Sequence, residues 1–194
     1  ENSTFAFFDV ETTGLSKSSE IVQISAKLGL QEFDSFIVPF RIFPGFSLDD
    51  GELFRNGEKM KTKPRRLDLT SFIEFLSPGP VILIAHNGGR FDAPMFLNEL
   101  KVMGLLEDFQ NVVVGFSDTL PLLKKKLPDR VKSKKSFSQS VLAEDLVGSG
   151  AADGAHDSMV DVRMLLKIIE TRCHNYPLTN FFRRFRTFFR YFIS

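Results

Sequence analysis

Apolar and polar positions alternate along Thr4–Val10, placing Phe5, Phe7 and Asp9 on one side of an extended chain and Ala6, Phe8 and Val10 on the other. Both sides are largely apolar, which predicts a central strand covered on two faces. Ile21–Leu30 predicts a second strand. Gln31-Glu32 then makes a tight polar connection to a third strand, Phe33–Val38, ended by Pro39. Residues 40–65 are rich in Gly and charge and predict a short helix or turn followed by a loop. Arg66–Leu76 reads as a helix stopped by Ser77-Pro78-Gly79. Val81–Ala85 predicts another buried strand, followed by His86-Asn87-Gly88-Gly89 and a helix from about Ala93 to Met103. Val112–Phe116 is the fifth strand, and helices are expected over Leu120–Leu127, Phe137–Leu146 and Ser158–Thr171. Gly148–Ala155 holds no side chain large enough to pin it. The pattern is α/β: a mixed five-stranded sheet, an opening antiparallel meander followed by parallel strands, with helices on both faces.

Length supports this reading, since 194 residues suit one domain. It is expected over 1–175, with a basic aromatic helix or tail over 176–194. The longest apolar run, Val81–Ala85, is far short of the ~20 residues of a membrane span. The lone Cys173 has no internal disulfide partner and fits a reducing, intracellular compartment, nuclear or cytoplasmic. No charged-then-apolar leader opens the chain, and its first residue is Glu1, which leaves room for a longer natural protein.

The net charge of +1 hides segregation. Residues 124–136 carry a net +6, residues 172–194 a net +5, and the rest a net −10. The first basic segment is either a solvated loop or a contact for a polyanion such as nucleic acid. In the second, Phe181, Phe182, Phe185, Phe188, Phe189 and Phe192 recur at helical spacing, with Arg183, Arg184, Arg186 and Arg190 between them. Such a segment docks on the domain, or serves a membrane surface or a partner of the tail. The chain's 22 Phe and no Trp make phenylalanine the main core aromatic.

The candidate chemistry lies in carboxylates. Asp9 and Glu11 leave the first strand on one face, and paired carboxylates repel unless a cation such as Mg²⁺ or Mn²⁺ lies between them. A second Asp-x-Glu, Asp50-Gly51-Glu52, reads as a surface turn. Context separates the two: Asp9 and Glu11 end a buried strand and precede Thr12-Thr13-Gly14, a turn able to bring backbone N–H groups to a ligand. Asp92, just before Ala93-Pro94, is either a helix N-cap or a ligand. Asp161 shares a helix face with Met164, Leu165 and Ile168, where an unpaired charge is costly without a metal. His156 precedes it by five residues, beside Asp157, a capping alternative. His86 reads as a strand-end residue bonding the neighbouring loop.

Phe7-Phe8-Asp9-Val10-Glu11-Thr12-Thr13-Gly14-Leu15, then His86-Asn87-Gly88-Gly89-Arg90-Phe91-Asp92, then His156 through Asp161, together resemble the DEDDh 3′→5′ exonucleases. The second motif, with Glu99-Leu100 after it, is most similar to the three-prime repair exonucleases. The stretch from Phe109-Gln110 to the basic segment also resembles the exonuclease-like C-terminal domain of promyelocytic leukaemia protein, which lacks the acidic set kept here. The resemblance implies an RNase H-like fold and a hydrolase acting from the 3′ end to release nucleoside 5′-monophosphates. It implies two Mg²⁺ ions, with Mn²⁺ able to substitute: Asp9, Glu11 and Asp161 for the ion that activates water, Asp9 and Asp92 for the second, and His156 as general base. It further implies a grip on a free 3′ end of DNA or RNA by Thr12, Thr13, Gly14, Leu15 and Asn87. Phosphate contacts are expected from Lys124, Lys125, Lys126, Lys132, Lys134 and Lys135, and a homodimer is compatible with the family. Ser158 stands where the family has Ala. A catalytically inactive nucleic-acid or protein-interaction module on the same fold is the alternative.

Overall fold

The computed structural model describes residues 3–14, 16, 19–40 and 45–173. In chain order the strands and helices are β1 (Thr4–Thr12), β2 (Ile21–Leu28), β3 (Gln31–Ile37), β4 (Phe46–Asp49), β5 (Glu52–Arg55), β6 (Glu58–Lys59), β7 (Thr62–Lys63) and α1 (Arg65–Leu76). There follow β8 (Val81–Ala85), α2 (Asp92–Val102), α3 (Leu106–Val112), β9 (Val113–Asp118), α4 (Thr119–Lys126), α5 (Pro128–Lys132), α6 (Gln139–Leu146) and α7 (Ser158–Cys173).

The main sheet has the order β7-β3-β2-β1-β8-β9. β1, β2 and β3 form the antiparallel meander, while β8 and β9 run parallel to β1. The five strands expected from the sequence are all present, and the two-residue β7 adds a sixth beside β3. The alternation along β1 decides the layering. Ala6, Phe8 and Val10 pack with Leu69 and Phe72 of α1, Phe96 and Leu100 of α2, and Phe109 of α3. Phe7 faces the other way, toward Leu122 and Leu123 of α4, Leu142 of α6 and Val162 and Leu165 of α7. Phe96 binds the first layer together, with ring centroids 6.1 Å from Phe8, 5.2 Å from Phe72 and 5.5 Å from Phe109. These are edge-on pairs of the kind that quadrupole attraction favours.

Residues 46–59 depart from the expected helix or loop. They form a separate sheet, β4-β5-β6, folded on two tight turns. Asp50 and Gly51 have φ of 47° and 78°, and Asn56 and Gly57 have φ of 51° and 84°. Successive left-handed residues at Asp-Gly and Asn-Gly are what a two-residue hairpin turn needs. The short α3 fills a stretch expected only to lead into β9, and the basic segment is partly helical through α4 and α5. The tail 176–194 and Leu15 lie outside the described residues.

Candidate active site

β1 pairs with β8 from Thr4 opposite Val81 to Phe7 opposite Ile84, then runs on. Its last residues therefore stand at the carboxyl end of the parallel pair, where α/β sheets hold their ligands. Asp9 and Glu11 lie there on the side of α7, whose first turn brings Asp161. α2 begins directly after the β8 loop and brings Asp92 from the opposite layer. The result is a cleft of about 440 Å³ lined by Asp9, Val10, Glu11, His86, Asn87, Arg90, Phe91, Asp92, His156 and Asp161. Thus the four carboxylates and the histidine singled out in the sequence come together. Ligand atoms of Glu11, His156 and Asp161 all lie within 4.8 Å of one another.

The electrostatics are those of acids crowded out of water. Burial first, then Asp92, Asp161 and Glu11, push the Asp9 carboxyl well above the usual carboxylate range. Asp92 is 6% exposed, and burial with the charges of Asp118 and Glu11 raises it from 3.8 to about 7. Glu11 and Asp161 are raised as well, mainly by burial; His156 and Arg55 pull Glu11 back, and the His156 backbone N–H does the same for Asp161. The ion pairs among the described residues all use other acids. Four hard oxygen donors lining one cleft, none in an ion pair among the described residues, are a donor set suited to Mg²⁺ or Mn²⁺.

Local structure explains how α7 delivers its two residues. Asp157 caps the helix, its Oδ1 accepting from the N–H groups of Met159 and Val160 at 3.1 Å each. His156 takes a left-handed φ of 72°, and its N–H donates to Asp161 Oδ2 at 3.1 Å. Asp161, expected to have no partner but metal, thus has a backbone donor on one oxygen. The Ser158 hydroxyl donates to the Asp9 carbonyl at 2.7 Å, a bond alanine could not make, and its N–H donates to Gln23 Oε1 at 3.2 Å; together they fasten α7 to β1 and β2. The Gly/Ala loop is fastened without a large apolar anchor: Glu144 of α6 accepts from the N–H groups of Gly150 at 3.1 Å and Ala152 at 2.9 Å.

The fold matches solved exonucleases. E. coli exonuclease I in complex with a dA16 oligonucleotide superposes with a TM-score of 0.64 at 17% identity, covering 90% of this chain and 42% of that one. The human (Homo sapiens) three-prime repair exonuclease 1 is 32% identical over 97 residues, 49% of this chain and 31% of its own length. The maternal protein exuperantia of Drosophila melanogaster is 25% identical over 169 residues, 76% of this chain and 31% of its own. A family model, the Exuperantia RNase H-like domain, matches residues 52–144. The chain thus resembles exonucleases and RNase H-like domains, in its fold and over these stretches of sequence. It spans about a third of the length of these curated relatives. The segment matched by the Exuperantia model contains Asp92 but not Asp9, Glu11, His156 or Asp161. That match therefore covers the parallel half of the domain and leaves out most of its acidic cluster.

The other sequence candidates are placed less uniformly. Asp92 is the first residue of α2 and not its cap, which is Phe91, so its carboxylate is free to face the cleft. Thr13 is spent on its own turn: its N–H donates to the Glu20 carbonyl and its hydroxyl accepts from the Glu20 N–H, both at 2.9 Å. The Thr12 hydroxyl likewise bonds the Gly14 carbonyl at 2.7 Å. The turn is braced, and the N–H of Thr13 is not available to a ligand. Asn87 lines the cleft. Lys124, Lys125 and Lys126 form the last turn of α4; Lys132 ends α5, with Lys134 and Lys135 just after it, and none of the six lines the cleft. His86 does what a strand-end histidine was expected to do, its ring nitrogens 2.8 Å from Thr119 Oγ1 and from the Phe137 carbonyl.

Three residues were not foreseen. Asp118, at the end of β9, accepts from the N–H groups of Asn87 at 2.9 Å and Gly89 at 3.3 Å while capping α4 through Leu120 at 2.8 Å. It sets the course of the loop leading to Asp92. Arg90 and Phe91 were visible in the motif but gave no sign of facing the cleft.

Proposed function

We propose that this chain is a metal-dependent 3′→5′ exonuclease that hydrolyses phosphodiester bonds at the 3′ end of nucleic acid and releases nucleoside 5′-monophosphates. The observation that carries this reading is the convergence of Asp9, Glu11, Asp92, Asp161 and His156 on one cleft. Asp9, Glu11 and Asp161 would hold one divalent ion, and Asp9 and Asp92 the second. A bound Mg²⁺ pair supplies positive charge at the attacking and departing oxygens of an in-line displacement. Asp9 would belong to both sets, which fits its carboxyl being pushed up by burial and by all three of the other acids.

His156 takes the proton of the attacking water on a ring nitrogen as the oxygen–phosphorus bond forms. Imidazole is the side chain whose ordinary pKa lies nearest neutrality, as this step requires. The bond from phosphorus to the 3′-oxygen breaks, and that oxygen leaves with a proton from solvent. Asn87, Gly14, Leu15 and the backbone at Thr12 hold the terminal nucleotide. The solved complex of exonuclease I with an oligonucleotide supports a single strand as the substrate form.

Beyond the cleft, the strand follows the lysines of α4 and the segment after α5, which neutralise phosphates without reading sequence. Phe137 links them to the cleft wall: its carbonyl meets His86, and Lys124 Nζ lies 5.9 Å from its ring centroid. End-labelled single- and double-stranded DNA and RNA, incubated with Mg²⁺ or Mn²⁺ and with EDTA, test the reading. Stepwise shortening from the 3′ end that EDTA abolishes is expected. Intact substrates under every condition would leave a binding module on the same fold.

A further inference from the structure

The small sheet β4-β5-β6 reaches the loop that carries His156. Arg55, the last residue of β5, spans 102 positions of sequence to place its guanidinium on the Asp157 carboxylate through Nη1. Its Nη2 donates to the His156 carbonyl at 2.8 Å. The guanidinium lies 5.6 Å from the Phe46 ring centroid across the hairpin, a stacking that limits its freedom. The planar fork of arginine suits such a two-acceptor grip, and a lysine could fill only part of it.

The grip falls where the chain is strained. His156 is a non-glycine residue in left-handed backbone, a conformation that persists only where its surroundings enforce it. Two contacts enforce it: the N–H is held by Asp161 and the carbonyl by Arg55. Asp161 is a proposed metal ligand, so its hold on the N–H competes with its other task. Arg55 and Asp157 line no part of the cleft and are free of that conflict.

Resting on the exonuclease reading above, we propose that Arg55 is a positioning residue for His156: by clamping Asp157 and the His156 carbonyl it fixes the backbone from which the imidazole enters the cleft. The β4-β5-β6 sheet is then the brace that holds the general base to the carboxylates. Misplacement of a reacting group by about 1 Å costs on the order of 10²-fold in rate, which sets the size of the expected effect.

The test uses the whole chain with Arg55→Ala, Arg55→Lys and Asp157→Asn, the last keeping an oxygen that accepts from Met159 and Val160 while losing the ion pair. Melting temperature, kcat and KM on a 3′-ended oligonucleotide in Mg²⁺, and amide hydrogen exchange of residues 154–158 without metal, are measured for each. Arg55→Ala is expected to lower kcat by about 10–10²-fold with KM within about twofold, Arg55→Lys to recover part of the loss, and Arg55→Ala with Asp157→Asn to cost no more than the worse single change. Exchange at 154–158 is expected to quicken while the core strands are unaffected. Wild-type kcat in Arg55→Ala overturns the proposal, as does a rise in KM at constant kcat, which would make Arg55 a phosphate contact. Additive losses in the double variant overturn it too. If the wild type itself degrades nothing, the exonuclease reading fails alone, and hydrogen exchange still decides whether Arg55 holds the loop: unchanged exchange in Arg55→Ala then overturns the clamp.

Discussion

Glu32 of β3 and Asp92 at the start of α2 titrate in opposite directions. Glu32, beside the turn of the β2–β3 hairpin, meets Arg163 and Lys27, whose hydrogen bonds lower its carboxyl to about 2. Asp92, at the carboxyl end of the parallel strands, has no ion pair among the described residues and little water, and burial with the charges of Asp118 and Glu11 puts it at about 7. One acid has its counter-charge in the chain; the other must find it elsewhere. An acid that the fold buries beside its own kind, and leaves without a basic partner, marks a site for a ligand, whereas a paired acid marks a joint between elements.

The sharpest way to break this contrast is at Asp9. Asp9→Asn is expected to abolish Mg²⁺-dependent degradation and, without metal, to raise the melting temperature, because it removes a charge repelled by Asp92, Asp161 and Glu11. Equal turnover of variant and wild type removes Asp9 from the site. Next in size is His156→Ala, expected to lower kcat by about 10²–10⁴-fold with little change in KM or in binding of a 3′-ended strand. Near wild-type kcat would leave proton transfer to another group.

The third is a pH effect on the folded state. Asp92 holds its proton more tightly folded than unfolded, so the folded chain binds more protons between the two values. Its contribution is fully present below about 4 and is lost as the pH rises through about 7. The metal-free protein is therefore expected to lose on the order of 2–4 kcal/mol over that window, less in Asp92→Asn. Added Mg²⁺ should restore stability at the upper end, since it binds the ionised form. A flat metal-free melting curve from pH 4 to 8 contradicts the buried-acid assignment. Smallest is Glu32→Gln, an exposed pair expected to change stability by less than about 1 kcal/mol and turnover not at all. For Glu32 the sign is reversed: its stabilisation is present above about 4.5 and lost toward 2. Loss of activity in Glu32→Gln would show that the two ends of the sheet are coupled.

Much of this was legible along the chain. Alternation through Phe5, Phe7 and Asp9 against Ala6, Phe8 and Val10 gave both the two-layer fold and the side on which the first carboxylates lie, because a strand's period of two is a local property. The unpaired Asp161 on an apolar helix face was local in the same sense. Even the hairpins at Asp50-Gly51 and Asn56-Gly57 were written in the sequence, as the residue pairs that two-residue turns favour, though the charge around them suggested a loop.

What the chain order by itself determined, then, is which residues are candidates for chemistry and which face of each element they occupy. The tertiary structure alone decided how they are held. Arg55 reaches Asp157 across 102 residues, and Ser158 reaches Asp9 across 149. Asp92 points into the cleft instead of capping its helix because Phe91 occupies the cap. Such contacts join surfaces that meet only after the sheet has its order and both layers are packed. No spacing in the sequence encodes them, because spacing fixes direction within an element and packing fixes distance between elements.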